Sequence, residues 1–186
     1  MPQRTYMAPH DRRALIEKLP HSEMVYPDSL VHRIKYYMWY YYTPYHPTVR
    51  DSVIALSIIK NRGRQPFLLG TIAPHLSIEE FVSFLVENSY AYHRVAWEDE
   101  GEVVSLRRVN DFEFQYHLRI FEDREIRGHY EYTPECYPIS HLWDVGREDR
   151  RGYFLQLFGD RITPHKSDDR SDYQWEFLPL TRRLWE

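Results

Sequence analysis

Along residues 76–132 the hydrophobic positions change their period. In "SIEEFVSFLVEN", Ile78, Phe81, Val82 and Leu85 recur at three- and four-residue spacing, the period of one helix face. Ser77 and Glu80 stand at the start of that run with the spacing of a capping box, so a helix is predicted there. Downstream the period falls to two. The runs 90–98, 102–109, 112–121 and 126–132 are separated by the turn signals "EDEGE", "ND" and "EDRE", which predicts an antiparallel meander. "PFLLGTI" predicts a buried strand ahead of the helix, and "GYFLQLF" from Gly152 predicts another after the meander.

The first third reads differently. Helices are predicted over 11–19 and over 29–42, the second with Asp28 as N-cap and an end forced before Pro44. A third is expected from Thr48, with Asp51 in capping position, Val49, Val53, Leu56 and Ile59 on one face, and Gly63 as its stop. Helices followed by hairpins predict an α+β fold: an antiparallel meander of four to six strands, helices packed on one face, and a helical N-terminal third. We read residues 1–186 as one domain. Within it, 1–64 is mainly helical, 65–160 is a sheet with one crossing helix, and 161–186 is a loop and tail. A chain of 186 residues can bury a sufficient core without disulfides or a structural metal.

Register decides what each face carries, because a slip of one residue turns every side chain over. With Glu100 and Gly101 as a two-residue turn, Val95 and Trp97 share a face with Val104 and Leu106. Odd-length or bulged loops at the next two turns add Phe112, Phe114, Tyr116, Leu118, Ile126, Tyr130 and Tyr132 to that face. Tight two-residue turns at Asn110-Asp111 and Asp123-Arg124 would mix apolar with polar positions, so odd loops are expected. The opposite face then carries Arg94, Ser105, Arg107, Glu113, Gln115, His117, Arg119, Arg127, His129 and Glu131, and is expected to be solvated.

Composition narrows the chemistry. A net charge of -4 argues against general attraction to nucleic acid, and no run approaches the roughly 20 apolar residues of a membrane span. The polar N-terminus lacks a secretory run, so a cytoplasmic protein is expected. Cys136 is the single cysteine, which excludes an internal disulfide. It reads as an ordinary small side chain between Pro134 and Pro138.

Two surfaces remain as candidates. Arg94, Arg107, His117, Arg119, Arg127, His129 and Glu131 could hold an anionic small molecule, through guanidinium and imidazole donors set on rigid strands. If the arginines converge, a bound anion or the carboxylates Glu113 and Glu131 are expected to balance them. His129 and Glu131 with Pro134 and Cys136 show only half of a zinc-deaminase pattern, since the second cysteine is missing. A looser set of His117 or His129, Glu131 and His141 has donors suited to zinc or manganese. Ten histidines make such sets easy to draw by chance, so no metal and no cofactor is expected.

The second surface is "YYMWYYYTPYHP". On a helix, Leu30, Ile34, Met38 and Tyr41 form one stripe, read as core, while Tyr36, Trp39, Tyr40 and Tyr42 form the candidate interface. Base stacking would want basic residues among the rings, and only Arg33 and Lys35 flank them. The expectation is therefore a non-enzymatic interaction protein, self-associating or bound to a protein partner. The alternative is an anion-binding module or metal-dependent enzyme on the polar sheet face, and a weaker one is single-stranded nucleic-acid binding.

Overall fold

The computed structural model describes residues 9–22, 29–45, 48–49, 52, 55–56, 67–93, 99–136, 148 and 150–166. Its elements are α1 (Pro9–Glu17), α2 (Leu30–Tyr42), β1 (Leu68–Ile72), α3 (Ile78–Glu87), β2 (Ala91–Tyr92), β3 (Glu102–Val109), β4 (Phe114–Phe121), β5 (Glu125–Tyr132), α4 (Arg151–Phe158) and β6 (Ile162–Pro164). The strands make an open sheet in the order β2-β3-β4-β5-β1-β6, with antiparallel neighbours throughout. The chain is thus of the α+β class, with an antiparallel meander at the centre of its sheet.

The two later turns set the register as expected, whereas the one before them does not: a two-residue turn at Glu100 and Gly101 would pair Val95 with Leu106, and Tyr92 pairs with it instead. Val109 pairs with Gln115 and Ile120 with Ile126, so both loops hold an odd number of residues. Asp111 Oδ1 accepts the N–H groups of Glu113 and Phe114, each at 2.8 Å, and this local bonding shapes the first loop. Arg124, at φ 72°, closes the second. Val104, Leu106, Leu118, Ile120 and Ile126 consequently share one buried face. Against them pack Phe81, Val82 and Leu85 of α3 and Phe154 and Phe158 of α4.

Helix α3 is capped as its sequence requires. Glu80 N–H donates to Ser77 Oγ at 3.1 Å, and Ser77 N–H donates to Glu80 Oε2 at 2.6 Å. It connects β1 to β2, which lie on opposite sides of the meander in the strand order. Arg124 fixes the start of this connection by donating to the carbonyls of Ile72, Ala73 and Leu76 at 3.3, 2.8 and 2.6 Å. Arg151 Nη1 likewise donates to Leu68 O at 2.6 Å.

Several expectations are corrected. "GYFLQLF" is helix α4, with Phe154 and Phe158 one turn apart and fully buried. A short apolar run has no unambiguous period, and here the four-residue repeat prevails over alternation. The sheet region therefore contains two helices, and Ile162–Pro164, assigned to the tail, is the edge strand β6 against β1. In α2, His32 N–H donates to Ser29 Oγ at 3.1 Å, the bond of an N-cap. Asp28 lies outside the described residues, as do Asp51 and Gly63 of the third expected helix. In that segment Ser52 Oγ donates to Thr48 O at 2.8 Å and Leu56 N–H to Ser52 O at 2.9 Å, a helical spacing. Residues 94–98 of the run 90–98 are likewise not described, and Ala91–Tyr92 is its strand.

Gly128 sits opposite Leu118 on the apolar face. A Cβ there would stand 2.5 Å from Leu118 Cδ2, 3.0 Å from Leu69 Cδ1 and 3.1 Å from the His117 carbonyl oxygen. Because one of these neighbours is backbone, Gly128→Ala is expected to destabilise the fold by about 1–3 kcal/mol, as overpacking does. Urea unfolding of parent and variant checks this, and equal midpoints would contradict it.

Candidate functional site

Most of the described face opposite the apolar core is buried, not solvated, with Glu113 and Arg127 partly exposed at its margins. Ser105, Arg107, Gln115, His117, Arg119, His129 and Glu131 are each no more than 4% exposed. Charged groups withdrawn from water must find partners within the protein, and these form two connected clusters.

The first centres on Arg119. Its Nη1 donates to Asp99 Oδ2 at 3.1 Å and Glu102 Oε2 at 2.8 Å, while Asp99 N–H donates to the same Glu102 oxygen at 3.0 Å. Glu102 reaches this side because the β3–β4 register shifts between Glu102 and Val104, and Val103 joins the apolar core.

The second cluster runs along β4 and β5. Arg107 Nη1 lies 2.8 Å from Glu135 Oε1 and donates to Gln115 Oε1 at 3.1 Å, and its Nε donates to Ser22 Oγ. Gln115 Nε2 donates to Glu131 Oε1 at 2.9 Å. Glu131 lies between two imidazoles: His117 Nδ1 is 3.0 Å from its Oε1, and His129 Nε2 is 3.0 Å from its Oε2. On the far edge of the His117 ring, Nε2 is 2.7 Å from Ser105 Oγ. The His93 and His129 rings meet that ring edge-on, with centroids 5.7 and 5.1 Å away, and Phe67 lies 5.5 Å from His129.

Helix α2 borders this layer. His32 Nε2 is 3.2 Å from Glu113 Oε1, and its ring lies 4.9 Å from that of Phe112. Lys35 Nζ is 3.9 Å from the Cys136 sulfur. His32, Glu113 and Cys136 bring donor atoms within 4.8 Å of one another. The Lys35 ammonium beside the sulfur disfavours a second cation there. Burial pushes the Cys136 thiol up to about 11, partly opposed by the nearby Lys35 charge.

The sequence-derived positions are thus partly gathered. His117, His129 and Glu131 converge, with Arg107 connected to them through Gln115. Arg119 belongs to the separate Asp99 and Glu102 cluster. Arg127 is half-buried and pairs with Glu125 at 2.5 Å. Arg94 and His141 lie outside the described residues. Each of the three described arginines has its own carboxylate partner: Glu135 for Arg107, Asp99 and Glu102 for Arg119, Glu125 for Arg127. Neither Glu113 nor Glu131 supplies that balance, since Glu113 meets His32 and Glu131 lies between the imidazoles. Asp99, Glu102, Glu135 and His93 were missed, because no strand pattern reveals a bulge or what a loop folds back upon.

The aromatic helix also departs from expectation. Leu30, Ile34, Met38 and Tyr41, read as core, are 74%, 54%, 53% and 69% exposed. Trp39 is the buried residue of α2, while Tyr36 and Tyr42 are half-buried and Tyr40 is exposed. The inward stripe is therefore His32, Lys35, Trp39 and Tyr42, which faces a partly polar surface.

Comparison with protein-family models, curated proteins and solved structures finds no match to this chain. Functional reading therefore rests on geometry. No described helix is long and apolar enough to cross a membrane.

Removing the Arg119 guanidinium would leave Asp99 and Glu102 buried without it. Arg119→Ala is expected to cost about 3–5 kcal/mol, whereas Arg127→Ala, which breaks a more open pair, should cost under about 1 kcal/mol. Chemical denaturation of both variants checks the difference, and similar losses would refute the distinction. The Cys136 thiol gives a second expectation. At pH 8 iodoacetamide should modify the folded protein far more slowly than the unfolded chain. As pH rises from 9.0, the ordinary thiol value, towards about 11, the unfolded state releases this proton first, so the thiol's contribution to stability falls. Equal alkylation rates in the two states would show that the thiol is not covered.

Proposed function

We propose that the chain is a non-enzymatic assembly subunit that docks through α2, with a second copy of itself as the occupant of that face. The observation carrying this reading is the outer side of α2. Leu30, Ile34, Tyr37, Met38 and Tyr41 recur at helical spacing, and the least exposed of them is 47% accessible. Isolated exposed apolar side chains are ordinary, but a continuous stripe along a helix has the form of a contact surface. The stripe contains no charged residue, and α2 has no acidic one. A pair of such helices related by a two-fold axis needs shape complementarity alone, because each contact is repeated by symmetry. Tyrosine and methionine suit such a surface, combining large area with adaptable or amphipathic ends.

The polar sheet face supports the non-enzymatic part of the reading. Arg107, His117, Arg119, His129 and Glu131 are engaged within the protein and nearly inaccessible, which leaves little room for an anionic substrate beside them. A reducing, cytoplasmic setting fits the buried free thiol of Cys136.

The experiment is light scattering at micromolar concentration on the parent and on a double variant, Ile34→Glu with Met38→Glu. The parent is expected to form a dimer and the variant a monomer. Because both positions are exposed, thermal stability measured as the monomer should change by no more than about 0.5 kcal/mol. A parent that is monomeric throughout overturns the self-association reading. A dimer that persists in the folded double variant moves the interface elsewhere.

A further inference from the structure

We propose that His117, His129 and Glu131 form a structural site for one divalent first-row transition ion of the zinc class. Their ligand atoms lie within 4.8 Å of one another, and all three residues are buried. Both oxygens of Glu131 take part, one 3.0 Å from His117 Nδ1 and the other 3.0 Å from His129 Nε2. Donors arranged tetrahedrally at about 2.0–2.2 Å from a zinc ion stand roughly 3.3–3.5 Å apart. Each imidazole nitrogen is thus within a few tenths of an ångström of that spacing from a Glu131 oxygen, and all three donor atoms lie within 4.8 Å of one another. Two imidazoles and a carboxylate are the nitrogen and oxygen donors that zinc and its neighbours favour.

Charge supplies a second, independent argument. Among the described residues, the buried charged groups are Asp99, Glu102, Glu131 and Glu135 against Arg107 and Arg119. Four carboxylates face two guanidinium groups, and the other buried side chains of this layer that can carry positive charge are His93, His117 and His129. A divalent ion at the junction of His117, His129 and Glu131 adds positive charge to the cluster in which Glu131 and Glu135 face the single guanidinium of Arg107. Burial of opposite charges without such balance carries a large desolvation cost.

The surroundings have the form of a supporting shell. Ser105 Oγ lies 2.7 Å from His117 Nε2, which can donate to it while Nδ1 faces the ion. Gln115 donates to Glu131 Oε1, and its own carbonyl oxygen accepts from Arg107, which Glu135 holds in turn. Ser105 and Gln115 thus orient His117 and Glu131, and His129 rests against the Phe67 ring. With ligand side chains only 2–3% exposed, an ion here would be enclosed by protein. That is the character of a structural site, whereas a catalytic one keeps a position open to substrate. The inference does not rest on the pairing of α2, and either reading can fail alone.

The test uses the full chain without a polyhistidine tag, stripped by a chelator and then titrated with cobalt(II). Visible ligand-field absorption should rise to a plateau at one ion per chain, be displaced by zinc(II), and accompany a higher melting temperature. Glu131→Gln removes a ligand charge at constant shape and should abolish the plateau. Where that variant does not fold, Ser105→Ala keeps all three ligands and should weaken cobalt affinity 10–100-fold, the usual effect of losing an orienting partner. A folded parent that takes up no cobalt overturns the proposal. So does a plateau unchanged in folded Glu131→Gln, or an affinity unchanged in Ser105→Ala.

Discussion

The register of β3, β4 and β5 is the constraint on which the remaining structure depends. These strands are covered on both faces, but the two faces carry opposite chemistry: Leu106, Leu118 and Ile126 on one, Arg107, His117 and His129 on the other. A slip of one residue would set arginine and histidine against Phe81 and Phe158 and place the aliphatic residues in the polar layer. The asparagine and aspartate turns therefore do more than reverse the chain. By holding odd-length loops, they keep like beside like across three strands, and the α3 crossover can then lie on an apolar floor.

Burying a polar face is costly, and the way this one is built offsets the cost. Arg107 and Arg119 each reach more than one acceptor, which the planar guanidinium permits and a lysine ammonium does so less selectively. The same property recurs where arginine binds backbone. Arg12 donates to Val103 O, Arg124 to three carbonyls before α3, and Arg151 to Leu68 O. The prevalence of arginine over lysine in this chain thus has a structural use: distant segments are joined by side chains that satisfy carbonyls left over by turns and strand ends. Arg108 adds a different role, with its guanidinium carbon 5.0 Å from the Tyr116 ring and 5.2 Å from that of Tyr153, at the margin of the apolar core.

Helix α2 follows from the chemistry of the surface it meets. Its neighbours Glu113 and Cys136 lie at the polar end of the sheet, so the stripe that turns inward is the one bearing His32, Lys35 and Trp39. The aliphatic stripe is left outside by geometry, since one helix cannot present both. The polar contacts of α2 are thus internal and its aliphatic stripe is external.

Periodicity alone determined the class of the fold, helix α3 with its Ser77 and Glu80 cap, and the sorting of side chains between the sheet's faces. These depend on neighbours within a few residues, and their physics is local. The wet or dry fate of each face was not local. His117 and Glu131 read as solvated because strand alternation tells which side chains share a face and nothing of what covers it. The partnership of Arg119 with Asp99 and Glu102 depended on a bulge that no alternation pattern reveals. The run "GYFLQLF" was ambiguous because it is too short for its period to speak, and contact of Phe154 and Phe158 with α3 and the sheet decided it as helix. For α2, rings on every side made the sequence silent about which stripe faces inward. Only the positions of Glu113 and Cys136, more than seventy residues away along the chain, settled that Trp39 is buried and Ile34 exposed.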